Sequence, residues 1–221
     1  MEVHAVVPLK ALSQAKTRLS PILSPRERQI LSLKMLEDVL YALTSSNNVN
    51  RIVLISPDTM IKQHFKNYDV KFLTERSSGL NQAVEQATKW CVNNGAGSVL
   101  VSLADIPLLC AADLDELVKL KKDSCVVICP SVNGGTNLLL RSPPEIIPTK
   151  YGAQSFGKHL REAYDRNVAV GVFWSPHMAF DIDTPRHLKR FVKQVYDTHS
   201  FRFLQERNVL DRFLALRELQ T

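Results

Sequence analysis

Short apolar runs alternate with longer segments of helical periodicity along almost the whole chain, and this alternation limits the fold more than any other feature. Val3–Val7 is an apolar run closed by Pro8. Ser24-Pro25-Arg26-Glu27 combines a capping box with proline at the first helical position. The helix it opens has Ile30, Leu31, Leu33, Met35, Leu36, Val39, Leu40 and Leu43 at helical spacing and ends at Asn47-Asn48. Strands are expected at Arg51–Ile55, Val70–Leu73, Val99–Leu103 and Val168–Phe173. Two more, Cys125–Pro130 and Asn137–Leu140, flank Asn133-Gly134-Gly135. Helices are expected at Asp58–Phe65, Gly79–Val92, Ala111–Leu120, Gln154–Asp165 and Pro185–Tyr196. Strands interleaved with helices predict a three-layer α/β/α sandwich around a mostly parallel sheet, because a parallel crossover needs a helix to cover the sheet face.

At 221 residues and 45% hydrophobic, the chain can bury one large core. We divide it into a main domain, residues 1–190, and a C-terminal helical extension, residues 191–221. The extension carries Phe201, Phe203, Leu204, Val209, Leu210, Phe213, Leu214, Leu216 and Leu219 as an apolar stripe. That stripe must bury on its own domain or on a second subunit; the reading leans to a dimer contact, so a homodimer is expected. No apolar run approaches the roughly 20 residues that span a bilayer, so no membrane partner is expected. The opening Met1–Pro8 lacks a basic n-region and an A-x-A site, so no secretory leader is expected. Cys91, Cys110, Cys125 and Cys129 form no C-x-x-C pair and have no neighbouring histidine pattern. Buried thiols in a reducing cytoplasm are the expectation, and zinc is not. The net charge of +6 is spread along the chain, with acids among the C-terminal arginines, so nucleic acid is not an expected partner.

Two acidic stretches carry the chemistry. Ser102-Leu103-Ala104-Asp105-Ile106-Pro107 and Ala179-Phe180-Asp181-Ile182-Asp183-Thr184-Pro185 each set a carboxylate after an apolar run and before a proline turn. In an open α/β sheet the carboxyl ends of strands are where ligands bind. Asp105, Asp181 and Asp183 suit Mg²⁺, which takes one or two protein carboxylates together with water and phosphate oxygens. Asp181 or Asp183 could instead cap the helix near Pro185. Asp113 and Asp115 read as first-turn helix acids. The six histidines show no ligand spacing. The connection from Pro8 to Leu23 holds Lys10, Lys16 and Arg18 and no acid. With neither GxxxxGK[ST] nor GxGxxG present, it is either a solvated basic loop or a cradle for a triphosphate.

Seven segments appear in a fixed order along the chain. They are Val7-Pro8-Leu9-Lys10, Ala15-Lys16-Thr17-Arg18-Leu19, Gly79-Leu80-Asn81-Gln82-Ala83, Ala104-Asp105-Ile106-Pro107, Gly134-Gly135-Thr136-Asn137, Tyr151-Gly152-Ala153-Gln154-Ser155-Phe156 and Asp181-Ile182-Asp183-Thr184-Pro185. Together, over about residues 3 to 190, they resemble the 2-phospho-L-lactate guanylyltransferase family, archaeal type, which serves deazaflavin coenzyme biosynthesis. That family belongs to the Rossmann-like glycosyltransferase-A/nucleotidyltransferase superfamily.

The resemblance implies a reaction and places residues in it. GTP would give GMP to 2-phospho-L-lactate, yielding lactyl-2-diphospho-5'-guanosine and pyrophosphate, with Mg²⁺ on Asp105, Asp181 and Asp183. Asp105, Lys16 and Arg18 would be catalytic. Pro8, Lys10, Lys16, Arg18, Gly79, Leu80 and Asn81 would face the nucleotide. Thr136, Asn137, Gly152 and Ser155 would hold the phosphorylated three-carbon acid. An acceptor phosphate is already a nucleophile, so no dedicated base is expected. Phosphoenolpyruvate, 3-phosphoglycerate, a molybdopterin or a sugar phosphate are alternative acceptors. A non-catalytic nucleotide-binding protein is the alternative from another class.

Overall fold

The computed structural model describes residues 2–123 and 125–218, with side chains to residue 214. Seven strands form one sheet in the order β3-β2-β1-β4-β6-β5-β7. They are β1 (Glu2–Pro8), β2 (Arg51–Ser56), β3 (Lys71–Thr74), β4 (Ala96–Ser102), β5 (Cys125–Pro130), β6 (Thr136–Ser142) and β7 (Ala169–Val172). Among the described residues eight α-helices accompany them: α1 (Pro25–Ser45), α2 (Met60–His64), α3 (Leu80–Asn93), α4 (Ala111–Lys119), α5 (Ser155–Asp165), α6 (Pro185–Val192), α7 (His199–Glu206) and α8 (Val209–Glu218). Among the described residues no helix is long and apolar enough to cross a membrane.

The sheet is parallel except at β6, which runs antiparallel to both β4 and β5. The cause is local. Only residues 131–135 join β5 to β6, too few for a crossover. Gly134 at φ +77° makes the turn, and Ser131 N–H donates to Gly135 O at 3.0 Å. Strand β6 therefore folds back into the slot beside β4, and the turn before it comes to the rim where β4 ends.

Alternate residues of the central strands face two cores, as expected for a sheet covered on both sides. Val3, Ala5 and Val7 meet Leu36, Leu40 and Leu117, from α1 and α4. Val6, Val53 and Val101 meet Val84, Ala87 and Ala163, from α3 and α5. Helix α1 begins at the expected capping box: Ser24 accepts from Glu27 N–H, and the Glu27 carboxylate accepts from Ser24 N–H.

A third core explains the C-terminal extension. Leu19, Leu23, Leu31 and Met35 pack with Phe180, Phe191, Phe201, Phe203, Leu204, Val209 and Phe213. The stripe expected to serve as a dimer contact is thus covered by its own chain at five positions. Only Leu210 and Leu214 remain exposed, at 37% and 52%. Leu219 lies outside the described residues, as does the side chain of Leu216. Polar ties reinforce the packing: Asp38 accepts from His199 N–H and Ser200 N–H at 2.6 and 3.1 Å. Arg212 holds Glu27 with two nitrogens, at 2.7 and 3.1 Å.

Candidate active site

The site forms at the carboxyl-terminal rim of β1 and β4, where loops carry the polar residues. The basic connection is an ordered fold whose polar residues are largely exposed. It makes two 3-10 turns, Leu12–Gln14 and Thr17–Leu19. Leu19 and Leu23 anchor it in the third core, and Leu9 N–H extends the β1–β2 pairing to Ile55 O at 2.9 Å. Lys16 sits between the turns in the left-handed region, at φ 48°. That conformation is costly for a residue with a Cβ, and here it turns the side chain inward.

The Lys16 ammonium lies 2.6 Å from Asp105 Oδ2 and 2.7 Å from Asp183 Oδ1. The Lys16 side chain is 10% exposed. Burial alone would lower its pKa, but the two carboxylates outweigh burial and raise it. The same contact overrides burial at Asp183 and lowers that carboxyl. Asp181 has no such partner. Burial first, then the charges of Asp105 and Asp183, push it up to about 6.

The two acidic stretches are tied together by their backbones, Ile182 N–H donating to Asp105 O at 3.1 Å. Neither Asp181 nor Asp183 caps α6. Thr184 does so, its hydroxyl accepting from His187 N–H, which leaves both carboxylates available to the site. Asp105 Oδ1 and Asp181 Oδ1 are buried with no hydrogen-bond partner among the described residues. Orphaned carboxylate oxygens beside further carboxylates are a donor set that fits a hard divalent cation. The three aspartates do not converge within 4.8 Å of one another as the Cys110, Asp113 and His177 ligand atoms do; Lys16 lies between two of them.

Other expected residues are distributed as follows. Pro8 is buried at the end of β1, while Lys10 and Arg18 are exposed nearby. The charge of Arg18 reaches Asp183. Gly79 caps α3 at φ +126° and is exposed, with Leu80 half-buried behind it. Asn81 makes a structural tie. Its amide donates to Tyr151 O at 3.1 Å and accepts from Tyr151 N–H at 2.8 Å, which pins the loop before Gly152. Asn137 likewise donates to Met178 O at 2.8 Å, holding the segment that leads to Asp181. Gly152 is exposed at φ +128°, and Ser155 opens α5 with a buried side chain.

Thr136 brings in a residue that sequence spacing does not single out. Its hydroxyl lies 2.9 Å from His159 Nδ1. His159 Nε2 accepts from Lys150 N–H at 2.9 Å, so the ring proton sits on Nδ1. Burial, aided by Arg141, lowers His159 to about 4, so the ring is neutral. Thr136 Oγ1 then accepts from His159, and its own proton is left to point elsewhere. The signal in sequence is slight: Ser155 and His159 are four apart, on one face of α5. His187 also lies beside the aspartates. Its Nδ1 accepts from Asp183 N–H at 3.4 Å.

A cavity of about 710 Å³ lies elsewhere, at the amino-terminal ends of β2 and β3 beside Arg51, Lys71 and Trp90. It contains none of these polar residues. The site is an open rim, as suits two ligands that must meet.

A sheet of this order, with a basic first loop turned onto aspartates beside the carboxyl end of β4, has the architecture of nucleotidyltransferases. Solved structures agree on the fold. A Desulfovibrio desulfuricans protein described as a nucleotide-diphospho-sugar transferase superposes with a TM-score of 0.79 at 17% identity, covering 96% of this chain and 98% of that one. A Methanothermobacter nucleotidyl transferase gives 0.64 at 15%, covering 93% and 99%. The chain belongs to the guanylyl transferase CofC-like family, whose model matches residues 3–212. It is accordingly a nucleotidyltransferase of the guanylyltransferase class. The match runs past residue 190 and takes in α7 and part of α8. Among curated relatives, a phosphoenolpyruvate guanylyltransferase of Rubrobacter xylanophilus is 38% identical over 86% of this chain and 93% of its own. A 2-phospho-L-lactate guanylyltransferase of Methanothermobacter thermautotrophicus is 34% identical over 93% and 91%. A 3-phospho-D-glycerate guanylyltransferase of Colwellia psychrerythraea is 35% identical over 86% and 90%.

Proposed function

We propose that this protein, working in the cytoplasm, transfers GMP from GTP to a three-carbon phospho-acid, with 2-phospho-L-lactate as the acceptor we favour. An acceptor phosphate oxygen attacks the α-phosphorus in line, the bond to the β-phosphate oxygen breaks, and pyrophosphate leaves. The observation that carries the reading is Lys16 drawn from the first loop onto Asp105 and Asp183, which gathers cation and carboxylates at one rim.

Little covalent work falls to the protein in such a transfer; positioning and charge neutralisation dominate. Asp105, Asp181 and Asp183 would hold Mg²⁺. When bound, that ion offsets the charge that develops on the phosphates. Lys16 supplies a point charge and Arg18 a fork for the leaving pyrophosphate, with Lys10 at the outer edge. His159 donates to Thr136 and thereby aims the Thr136 proton at the acceptor. Ser155, in the first turn of α5, adds a hydroxyl where a helix N-terminus favours an anion. Gly152, with no side chain, allows backbone to approach the acceptor closely. The acceptor phosphate needs no base, and none of these groups is assigned that role.

Relatives named for three different acids stand at comparable identity, so the acceptor is decided by assay. Pyrophosphate release is measured with GTP, ATP and CTP against 2-phospho-L-lactate, phosphoenolpyruvate and 3-phosphoglycerate, with Mg²⁺. Turnover is expected with GTP and 2-phospho-L-lactate. Preference for another acid corrects the acceptor alone; no release with any pair overturns the reading.

A further inference from the structure

A second group of potential ligands lies beside the catalytic rim and is unused by the reaction. Cys110, Asp113 and His177 each bring one ligand atom within 4.8 Å of the other two. The donors are unlike one another: a sulfur, a carboxylate oxygen and an imidazole nitrogen. They also come from two segments far apart in sequence. Cys110 caps α4 and Asp113 lies in its first turn. His177 stands between β7 and Asp181. From these residues the geometry points to a binding site for a borderline-soft divalent cation of the zinc class, held by Cys110 Sγ, Asp113 and His177 Nδ1.

Size, chemistry and support each argue for it. Asp113 Oδ2 and His177 Nδ1 are 3.5 Å apart. Zinc bonds of about 2.1 Å to nitrogen and oxygen span a tetrahedral edge of roughly 3.4 Å, so this pair needs almost no movement. Three protein ligands with a fourth position open to solvent is a common zinc arrangement, and a thiolate–imidazole pair excludes Mg²⁺ in favour of zinc. Ser175 fixes the frame: its hydroxyl donates to Asp113 Oδ2 and accepts from His177 N–H at 3.2 Å. Such outer partners hold metal ligands in place. A reactive cysteine fits less well. Burial, and then the Asp113 carboxylate, push the Cys110 thiol up, the reverse of what a nucleophile needs. A cation between the two would relieve both groups.

The position gives the site a purpose. Cys110 and Asp113 follow Asp105 along one loop and its helix, and His177 precedes Asp181 and Asp183 along the other. A cation there would cross-link the two segments that carry the catalytic carboxylates, next to their backbone bond from Ile182 to Asp105. The inference rests on these three residues and does not depend on which nucleotide or acid the enzyme uses.

The test uses the full-length protein stripped with chelator and titrated with Co²⁺, a coloured substitute for zinc. A thiolate-to-cobalt charge-transfer band should saturate near one equivalent, disappear on adding Zn²⁺, and be absent in Cys110→Ser. Asp105→Asn should keep the band, which separates this site from the catalytic carboxylates. His177→Ala, at a half-exposed residue, should weaken Co²⁺ binding at least about tenfold, since loss of even an outer partner costs that much. Zn²⁺ should raise the melting temperature of the wild type and not of Cys110→Ser. No band with several equivalents of Co²⁺, or a band that survives Cys110→Ser, overturns the proposal. If Cys110→Ser does not fold, unchanged affinity in His177→Ala overturns it on its own.

Discussion

Lys16 Nζ sits 2.6 Å from Asp105 Oδ2, joining the first loop to the residue that follows the fourth strand, 89 positions away. Asp183 shares the same ammonium at 2.7 Å. One cation therefore holds two carboxylates that would otherwise repel, and it occupies part of the space a metal would use.

Two consequences follow for Lys16→Met. Turnover should fall on the order of 10²- to 10³-fold, the usual loss for one preorganised charge at a phosphoryl centre. Mn²⁺ affinity in the absence of nucleotide, read by electron paramagnetic resonance, should rise, because a competing cation is gone. A lower Mn²⁺ affinity would show that Lys16 supports the metal site instead.

Asp105→Asn keeps the shape of the side chain and removes its charge. Since Oδ1 has no hydrogen-bond partner among the described residues, the fold should be retained, with a melting temperature within a few degrees of wild type. Pyrophosphate release should fall about 10²-fold or more. Surviving activity would move the metal assignment away from Asp105.

Asn81→Ala removes both hydrogen bonds to the Tyr151 backbone. The expected cost is about 1–3 kcal/mol in denaturant unfolding. Because Tyr151 precedes Gly152, KM for the acid should rise more than KM for GTP. The opposite split would return Asn81 to the nucleotide.

His159 predicts a pH dependence. Its pKa is lowered to about 4 in the fold, against about 6.5 unfolded. A lowered histidine favours the fold in its neutral form, so its contribution is full above pH 6.5 and is lost as the pH falls toward 4. His159→Gln should show a shallower loss of stability across that window, measured by urea midpoints. An unchanged slope would mean that the ring is not held neutral.

Deleting residues 197–221 should produce an insoluble or unfolded protein, because Leu31 and Met35 lose Phe201, Phe203, Leu204 and Phe213 from the third core. Sedimentation and circular dichroism decide it. A folded, soluble remainder would make the extension a separate unit.

Much of the fold was legible along the chain because its signals are local. The Ser24–Glu27 capping box, the apolar periodicity of α1 and the run Cys125–Pro130 each lie within one element, and each was found within a residue or a few of its expected place. Asp105 was legible as a carboxylate just past a strand end, after β4. Asp181 and Asp183 were expected at a strand end too, but they lie in irregular chain between β7 and α6, because Phe180 packs into the third core and its segment pairs with no strand among the described residues. The bond of Asn81 to Tyr151 was not legible. A side-chain amide that pairs with the backbone 70 residues away leaves no trace in spacing.

The sequence by itself determined which segments are strands and helices, that the sheet is mostly parallel, and that carboxylates stand at its rim. Those follow from side-chain periodicity and turn chemistry, which act over a few residues. Only the tertiary structure decided that β6 reverses between β4 and β5, that Lys16 turns inward through a left-handed backbone, that His159 orients Thr136, and that Cys110, Asp113 and His177 meet. Each of these joins residues brought together when the sheet closes, and the pairing energy depends on distances that no local pattern encodes.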